Sequence, residues 1–593
     1  MAKKKANSII LERGKLFAIY ILINLFFIVL VGRLYFVMVA DGKELKEKAA
    51  KQWTNDTEIK ATRGSILDRN GNKLAINGDV YRIDLDLKTL KETLETKKWT
   101  IDDLSTKLAA ILNMDESQVK GILNLKGKNG LPLLSATLKR GVDKDATDKI
   151  KTLSLRGIII SSDTKRYYVN GDFLSQVLGR TNDLGVGISG VEKNYNSVLA
   201  GKDGAKVNEK DSKGNMLPYD DSEYTAPVNG KDVVLTIDGN IQTYVEKAAE
   251  QALKDNKAKS VTITVMNPKN GEILAMTSKP DLDPNAPITL SGQELQDAME
   301  NKAVEWTFEP GSIFKAITAE TALEEGTQKE TDTFVCNGSY KVAGKTINCW
   351  ETSGHGTETF VDILKNSCNV GFMQVGLKLG KDNLYKHINI DKFGEKTGID
   401  LPGESPGILK PIDKVGPVDL ATISFGQAIA TTQVQYLAAF NAIANGGDWI
   451  RPHVMKEIAH EDENNKLVIE DKYSNYGKTK IMDPNVVSTL RGYLEQVVSK
   501  GVGINAHIDG YDIAGKTGTA QWADPATGGY SPGKYVSSFA GMAPYEDPKI
   551  TMLISINQPD PSKYYAGQTA APVAKQLFEQ IIPYITTQNV LDK

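Results

Sequence analysis

The sequence predicts an α/β chain in three parts: an N-terminal transmembrane helix, an α+β region, and a domain whose antiparallel sheet is flanked by helices. Three observations lead there. A single apolar run is long enough to cross a bilayer. Residues 39–225 mix short strand and helix patterns. Residues 226–593 run as helix, two strands, many helices, several strands and a closing helix, the order of a layered antiparallel sheet. At 593 residues the chain exceeds what one core serves, so several domains are expected.

The anchor comes first. Lys3, Lys4, Lys5, Arg13 and Lys15 precede a run from Leu16 to Gly32 in which only Asn24 is polar, and the apolar pattern resumes after Arg33 as far as Ala40. About 20 apolar residues span a bilayer, and Arg33 can snorkel to the headgroups. Basic residues before the span favour a cytoplasmic tail over 1–15, an anchor over 16–38 and an extracytoplasmic remainder of about 550 residues. A cleaved signal peptide fits less well: the apolar core is too long, and Met38 is too bulky for a small-x-small cleavage site. The polar "DGKELKEKAAKQW" after it reads as an outward continuation of the helix.

Within residues 39–225, Asn70-Gly71 follows that polar stretch as a tight turn between apolar runs. Ser189–Gly204 reads as a helix closed by Gly201, and "DDSEYTAPVNGKD" as a domain boundary. Beyond it, "IQTYVEKAAEQALKDN" is an amphipathic helix. "SVTITVMNPKNGEILAMTS" is two strands joined by Pro268–Gly271. Long helical stretches follow Ser312, then the strand patterns "YDIAGKTGTAQWA" and "ITMLISIN", then the closing helix "APVAKQLFEQIIPYI". A net charge of −3 with no long block of like charge points away from nucleic acid.

Three short motifs carry the chemistry. In "FEPGSIFKAI", Ser312 stands at a helix start behind a Pro-Gly turn, and Lys315 lies one turn on, on the same face. A serine hydroxyl needs a base to become a nucleophile. For Lys315 to be that base near neutral pH, its pKa has to fall about three units from 10.4, roughly 4 kcal/mol, through burial and a neighbouring cation. Ser-x-x-Lys also begins at Ser117, Ser162 and Ser531, but those three lack the Pro-Gly turn and the apolar helix and read as solvated pairs. "LKNSCNVGF" supplies Ser367 and Asn369; its rival, Ser555 and Asn557, sits in an apolar strand. "DIAGKTGTAQ" supplies Lys516, Thr517, Gly518 and Thr519, with Gly515 and Gly518 leaving room for a substrate backbone. Its rival at Lys396 leads into Pro402 and reads as a loop.

The ordered trio is the set found in penicillin-binding proteins and serine β-lactamases. Together with the anchor, "RGSILDRNG", "GISGVE", "NPKNGEILAM", "GHG", "NSCN" and "KTGIDLPGE", it makes nearly the whole chain resemble a class B penicillin-binding protein, a membrane-anchored peptidoglycan D,D-transpeptidase. "GHGTETF" and "NSCN" are most similar to the septal and sporulation-specific branch. Departures are small: Tyr168-Val169 stands where many members have Tyr-Pro, and Ile313 where a threonine is common.

The resemblance implies a pedestal over 39–225 and a serine β-lactamase-like transpeptidase domain over 226–593. It implies acyl transfer at a D-Ala-D-Ala stem peptide, without a catalytic cofactor. Ser312 attacks, Lys315 takes its proton, and the N–H groups of Ser312 and Thr519 form an oxyanion hole. Ser367 relays a proton to the leaving amine, Asn369 holds Lys315 and the substrate amide, and Lys516, Thr517 and Thr519 bind the terminal carboxylate. β-Lactams acylate Ser312, and a membrane glycosyltransferase or divisome protein docks on the pedestal. A D,D-carboxypeptidase shares these motifs and differs in the acceptor. A silent scaffold has no need of the full trio. A β-lactamase has no need of residues 39–225, and one class uses a Glu-x-x-Leu-Asn loop that is absent from the sequence.

All three cysteines, Cys336, Cys349 and Cys368, lie near His355. Three thiolates and an imidazole make a tetrahedral structural zinc set. A Cys349–Cys368 disulfide suits an extracytoplasmic compartment, and buried free thiols with a structural histidine are the third reading.

Overall fold

The computed structural model describes residues 2–45, 48, 54–127, 129–209, 223–464, 466–524 and 528–592. The outward continuation of the first helix and the boundary near residue 225 fall partly outside them. Contacts divide the chain into two units, Met1–Ala61 with Gly201–Asn229, and Thr62–Ala200 with Gly230–Lys593.

The first unit holds the helix Ala2–Tyr35, extended as a π-helix over Phe36–Ala40. Its segment Gly14–Ala40 has a mean hydropathy of 2.4, long and apolar enough to cross a membrane. Thr54–Ile59, Gly204–Glu209 and Glu223–Thr225 form a small antiparallel sheet in the same unit.

In the second unit a seven-stranded sheet crosses the expected boundary. Ile66–Leu67 pairs antiparallel with Lys73–Asp86 and parallel with Asp232–Leu235, which in turn pairs with Met455–Glu461. Gly71, at φ +84, makes the turn between the first two. Residues 66–168 therefore share a sheet with strands from far downstream. A separate core of Leu87, Leu90, Leu104, Leu108 and Val119 packs three helices beside this sheet. Thr100 and Asp103 start one of them with a capping box. The helix expected over Ser189–Gly204 is instead two short helices, Gly190–Asn194 and Asn196–Leu199, interrupted at Tyr195 and followed by a strand. Tyr195 leaves the helical path at φ −103 and ψ 21, and its hydroxyl donates to the carboxylate of Asp400 at 2.6 Å, a tertiary contact that local helical pattern does not show.

The five-stranded sheet is antiparallel throughout: Ile273–Lys279, Ser260–Met266, Ile550–Asn557, Tyr530–Ala543 and Ala514–Ala523, in that spatial order. Its alternation feeds two cores. Ile550, Met552, Ile554 and Ile556 pack with the helices Gly239–Asp255 and Ala570–Gln588. Leu553, Ala540 and Met542 pack on the other face with Lys315–Glu324, Gln433–Ala444 and Pro484–Lys500. Ala514–Ala523 ends the sheet, and among the described residues no strand pairs with its outer edge.

Candidate active site

Gly311–Phe314 is a short 3-10 turn that runs directly into the helix Lys315–Glu324. Residues three apart eclipse in such a turn, so Ser312 and Lys315 share a face. Gly311 is held at φ +54, the left-handed region that glycine enters without strain, and its N–H donates to Gly426 O at 2.9 Å. Ser312 is half-buried, and among the described residues its Oγ has no hydrogen-bond partner.

The second motif lies between the helices Phe360–Lys365 and Asn369–Leu379. Ser367 adopts φ +58. The Cys368 sulfur caps the following helix, accepting the Gly371 N–H at 3.3 Å. In the edge strand, Thr517, Thr519 and Gln521 face a cleft of about 800 Å³ that also meets Ser312, Ser367 and Asn369. Lys516 alternates inward. At Gly515 and Gly518 an added Cβ would strike protein, not substrate: the Phe539 ring at 2.6 Å in one case, Ile313 N and Pro310 O at 2.9 Å in the other. These glycines admit the core and the Ser312 turn, a correction to the room expected for substrate.

The three remote segments converge on one hydroxyl. Lys315 Nζ donates to Ser367 O at 2.6 Å, Asn369 Oδ1 at 2.7 Å and Ser367 Oγ at 3.2 Å. Lys516 Nζ donates to Ser367 Oγ at 2.8 Å and to Thr517 O at 3.1 Å. Both lysines are fully buried. Burial lowers the Lys315 pKa to about 8, against the opposing pull of Cys368, Cys349 and Glu358. Lys516 is driven well below its ordinary value by burial and then by the charge of Lys315. Thr519 Oγ1 accepts the Ala566 N–H at 3.0 Å, which leaves its own proton to donate.

Cys336, Cys349, His355 and Cys368 place their ligand atoms within 4.8 Å of one another. The cysteines are free and buried. Cys349 Sγ lies 3.7 Å from His355 Nδ1. The hydrogen bond from Cys368 pulls the Cys349 thiol down, and the same contact pushes the Cys368 thiol up. The cluster thus favours one thiolate, the form that binds metals.

Aromatic residues complete the cleft. Tyr535, Tyr564 and Tyr565 stack at 3.9 and 4.5 Å and line it with Trp350. The tyrosines belong to no motif; the sequence signal for them is the Tyr564-Tyr565 doublet just beyond an apolar strand. Of the tryptophans near the motifs, Trp350 lines the cleft, whereas Trp306 stacks on Phe308 at 5.4 Å. His387 is buried against Glu320 and Glu325, and His453 stacks on Tyr473.

Comparison with known proteins agrees over most of the chain. The penicillin binding protein transpeptidase domain matches residues 261–579, and the penicillin-binding protein dimerisation domain matches 58–235. Stage V sporulation protein D of Bacillus subtilis is 35% identical over 562 residues, covering 94% of this chain and 83% of that protein. Peptidoglycan D,D-transpeptidase FtsI of Escherichia coli is 30% identical over 546 residues, covering 92% and 87%. Among solved structures, penicillin binding protein 2X of Streptococcus thermophilus aligns with a TM-score of 0.70 at 28% identity, covering 91% of this chain and 81% of that one. Penicillin binding protein 3 of Mycobacterium tuberculosis, complexed with aztreonam, aligns with a TM-score of 0.66 at 26% identity, covering 90% and 98%.

Proposed function

The chain belongs to the class B penicillin-binding proteins, serine-type peptidoglycan D,D-transpeptidases that β-lactams acylate, and on that premise we propose that Ser312 is its nucleophile. The observation that carries this reading is the convergence of Lys315, Ser367, Asn369 and Lys516 beside Ser312.

In acylation the Ser312 Oγ forms a bond to the carbonyl carbon of D-Ala-D-Ala. The Ser312 proton passes to Lys315, whose pKa burial lowers to about 8, so that the neutral base is readily reached. A neutral amine keeps two N–H donors, enough for the two shorter contacts to Ser367 O and Asn369 Oδ1. The N–H groups of Ser312 and Thr519 receive the oxyanion, about 3–4 kcal/mol per donor. The C–N bond then breaks, and the Ser367 hydroxyl hands a proton to the departing D-Ala amine, replenished from Lys315 or Lys516. A stem-peptide amine next forms the new C–N bond and gives up a proton to Lys315, the ester C–O bond breaks, and that proton passes to the departing Ser312 oxygen. Lys516, Thr517 and Thr519 bind the substrate carboxylate, and Gly518 brings their strand against the Ser312 turn. The free strand edge offers backbone groups to an extended peptide.

Residues 39–225 act as pedestal and 226–593 as transpeptidase domain. The 16–38 segment anchors the chain with 1–15 cytoplasmic, and a membrane glycosyltransferase or divisome protein is the partner. Cys336, Cys349, His355 and Cys368 hold a structural zinc. Tetrahedral zinc sets sulfur and nitrogen ligands about 3.3–3.8 Å apart, close to the Cys349–His355 spacing of 3.7 Å. Its effect is to brace the Cys368 turn beside Ser367; it takes no part in the acyl transfer.

Labelling with a fluorescent penicillin tests the assignment. Ser312→Ala should abolish the label with an unchanged melting midpoint, since its Oγ has no hydrogen-bond partner among the described residues. Persistent covalent labelling of that variant would refute the nucleophile.

A further inference from the structure

We propose that Trp350 is a positioning residue for Ser367: its indole N–H holds the Ser367 carbonyl and thereby sets the Ser367 hydroxyl between Lys315 and Lys516. The inference rests on the reading of Ser367 as the proton relay.

Trp350 Nε1 donates to Ser367 O at 3.0 Å and approaches Asn366 O at 3.3 Å. The same Ser367 carbonyl accepts Lys315 Nζ at 2.6 Å. Its two lone-pair directions are thus both used, one by an amine and one by an indole. Ser367 sits at φ +58, a conformation that a serine keeps only where its surroundings over-determine it. The Ser367 N–H donates to Leu364 O at 3.2 Å, so the carbonyl is the side of the turn held by side chains.

The two donors differ in kind. Lys315 changes charge during acyl transfer, so its hydrogen bond to the carbonyl weakens when the amine is neutral even though the contact is kept. The indole neither titrates nor gives up its proton. It is the donor whose hold on the turn stays constant while the charge of Lys315 changes. Packing alone does not account for Trp350. The residue remains 43% exposed, its ring meets His355 and Tyr565 only edge-on, and its one polar atom points at the catalytic turn.

Single-turnover acylation of the full chain by a fluorescent penicillin tests this, with Trp350→Phe, Ser367→Ala and the double variant compared with the parent. Phenylalanine keeps an aromatic ring and loses the donor. Trp350→Leu, a second variant without the donor, guards against a folding failure of the first, and melting midpoints report folding. The limiting acylation rate of Trp350→Phe should fall about five-fold, with half-saturation moved less than about two-fold. In the Ser367→Ala background the same change should have almost no further effect, because nothing remains to be positioned. A slow Ser367→Ala beside a Trp350→Phe of parental rate overturns the inference. Equal losses in both backgrounds also overturn it, since Trp350 would then act apart from Ser367. A Ser367→Ala that acylates at the parental rate sinks the relay reading instead.

Discussion

Lys516 Nζ lies 2.8 Å from Ser367 Oγ across 149 residues of sequence. Lys315 Nζ approaches the same oxygen from the opposite motif at 3.2 Å. Two ammonium groups buried this closely repel, and burial disfavours both charges. One hydroxyl therefore sits between two amines of which at least one is readily neutral.

With Lys315 as the proposed base, acylation should rise with pH through about 8 and level off above it, because a protonated amine cannot take the Ser312 proton. The sign for stability is the same. The folded pKa lies below the ordinary 10.5, so between about 8 and 10.5 the unfolded chain binds more protons, and this group's contribution to stability grows as pH rises through that window. Stopped-flow acylation from about pH 6 to about pH 9.5 checks the rate. A flat profile would count against Lys315 as the base.

Gly518→Ala should slow β-lactam acylation roughly 100-fold, the scale expected when reacting groups move by about 1 Å. The new methyl would sit 2.9 Å from Ile313 N and Pro310 O, so strand and Ser312 turn have to separate. Thr519, the next residue of that strand, paired with Ser537 and accepting the Ala566 N–H through its hydroxyl, moves with the strand. Acylation kinetics of the folded variant decide, and a loss under about three-fold would show that the close approach is not needed.

Purified protein should carry about one zinc per chain, and chelation should expose all three thiols and lower the melting midpoint. Cys349→Ser should lose the metal. Elemental analysis with thiol titration before and after chelator checks this. Substoichiometric zinc together with two unreactive thiols would favour a disulfide.

Glu192→Gln should destabilise the fold by about 3–5 kcal/mol, read as a melting midpoint several degrees lower. Glu192 is fully buried, accepting Arg63 Nε at 2.8 Å and Arg166 Nε at 2.6 Å, and its loss leaves two guanidinium groups without their carboxylate. An unchanged midpoint would mean that water or other groups compensate.

Much of the transpeptidase domain was legible as pattern. The alternation in Ile550–Asn557, the turn at Pro268–Gly271 and the apolar helix after Ser312 are local signals, and each became the expected element. Tyr195 was not legible, because the Asp400 carboxylate that its hydroxyl meets lies 205 residues away. Gly515 and Gly518 suggest space for substrate because the sequence marks a missing side chain without marking which neighbour fills the gap, here Phe539 and the Pro310–Ile313 turn.

By itself the sequence determined the long apolar N-terminal helix, most element types and the identity of the chemical groups, since hydropathy, periodicity and residue type are properties of short stretches. Only tertiary structure decided that Ser367 lies between two buried amines, that four sulfur and nitrogen atoms gather beside it, and that Trp350 touches its carbonyl. Those facts depend on distances between segments far apart in the chain, and burial, which sets the lysine pKa values, exists only once the segments have packed.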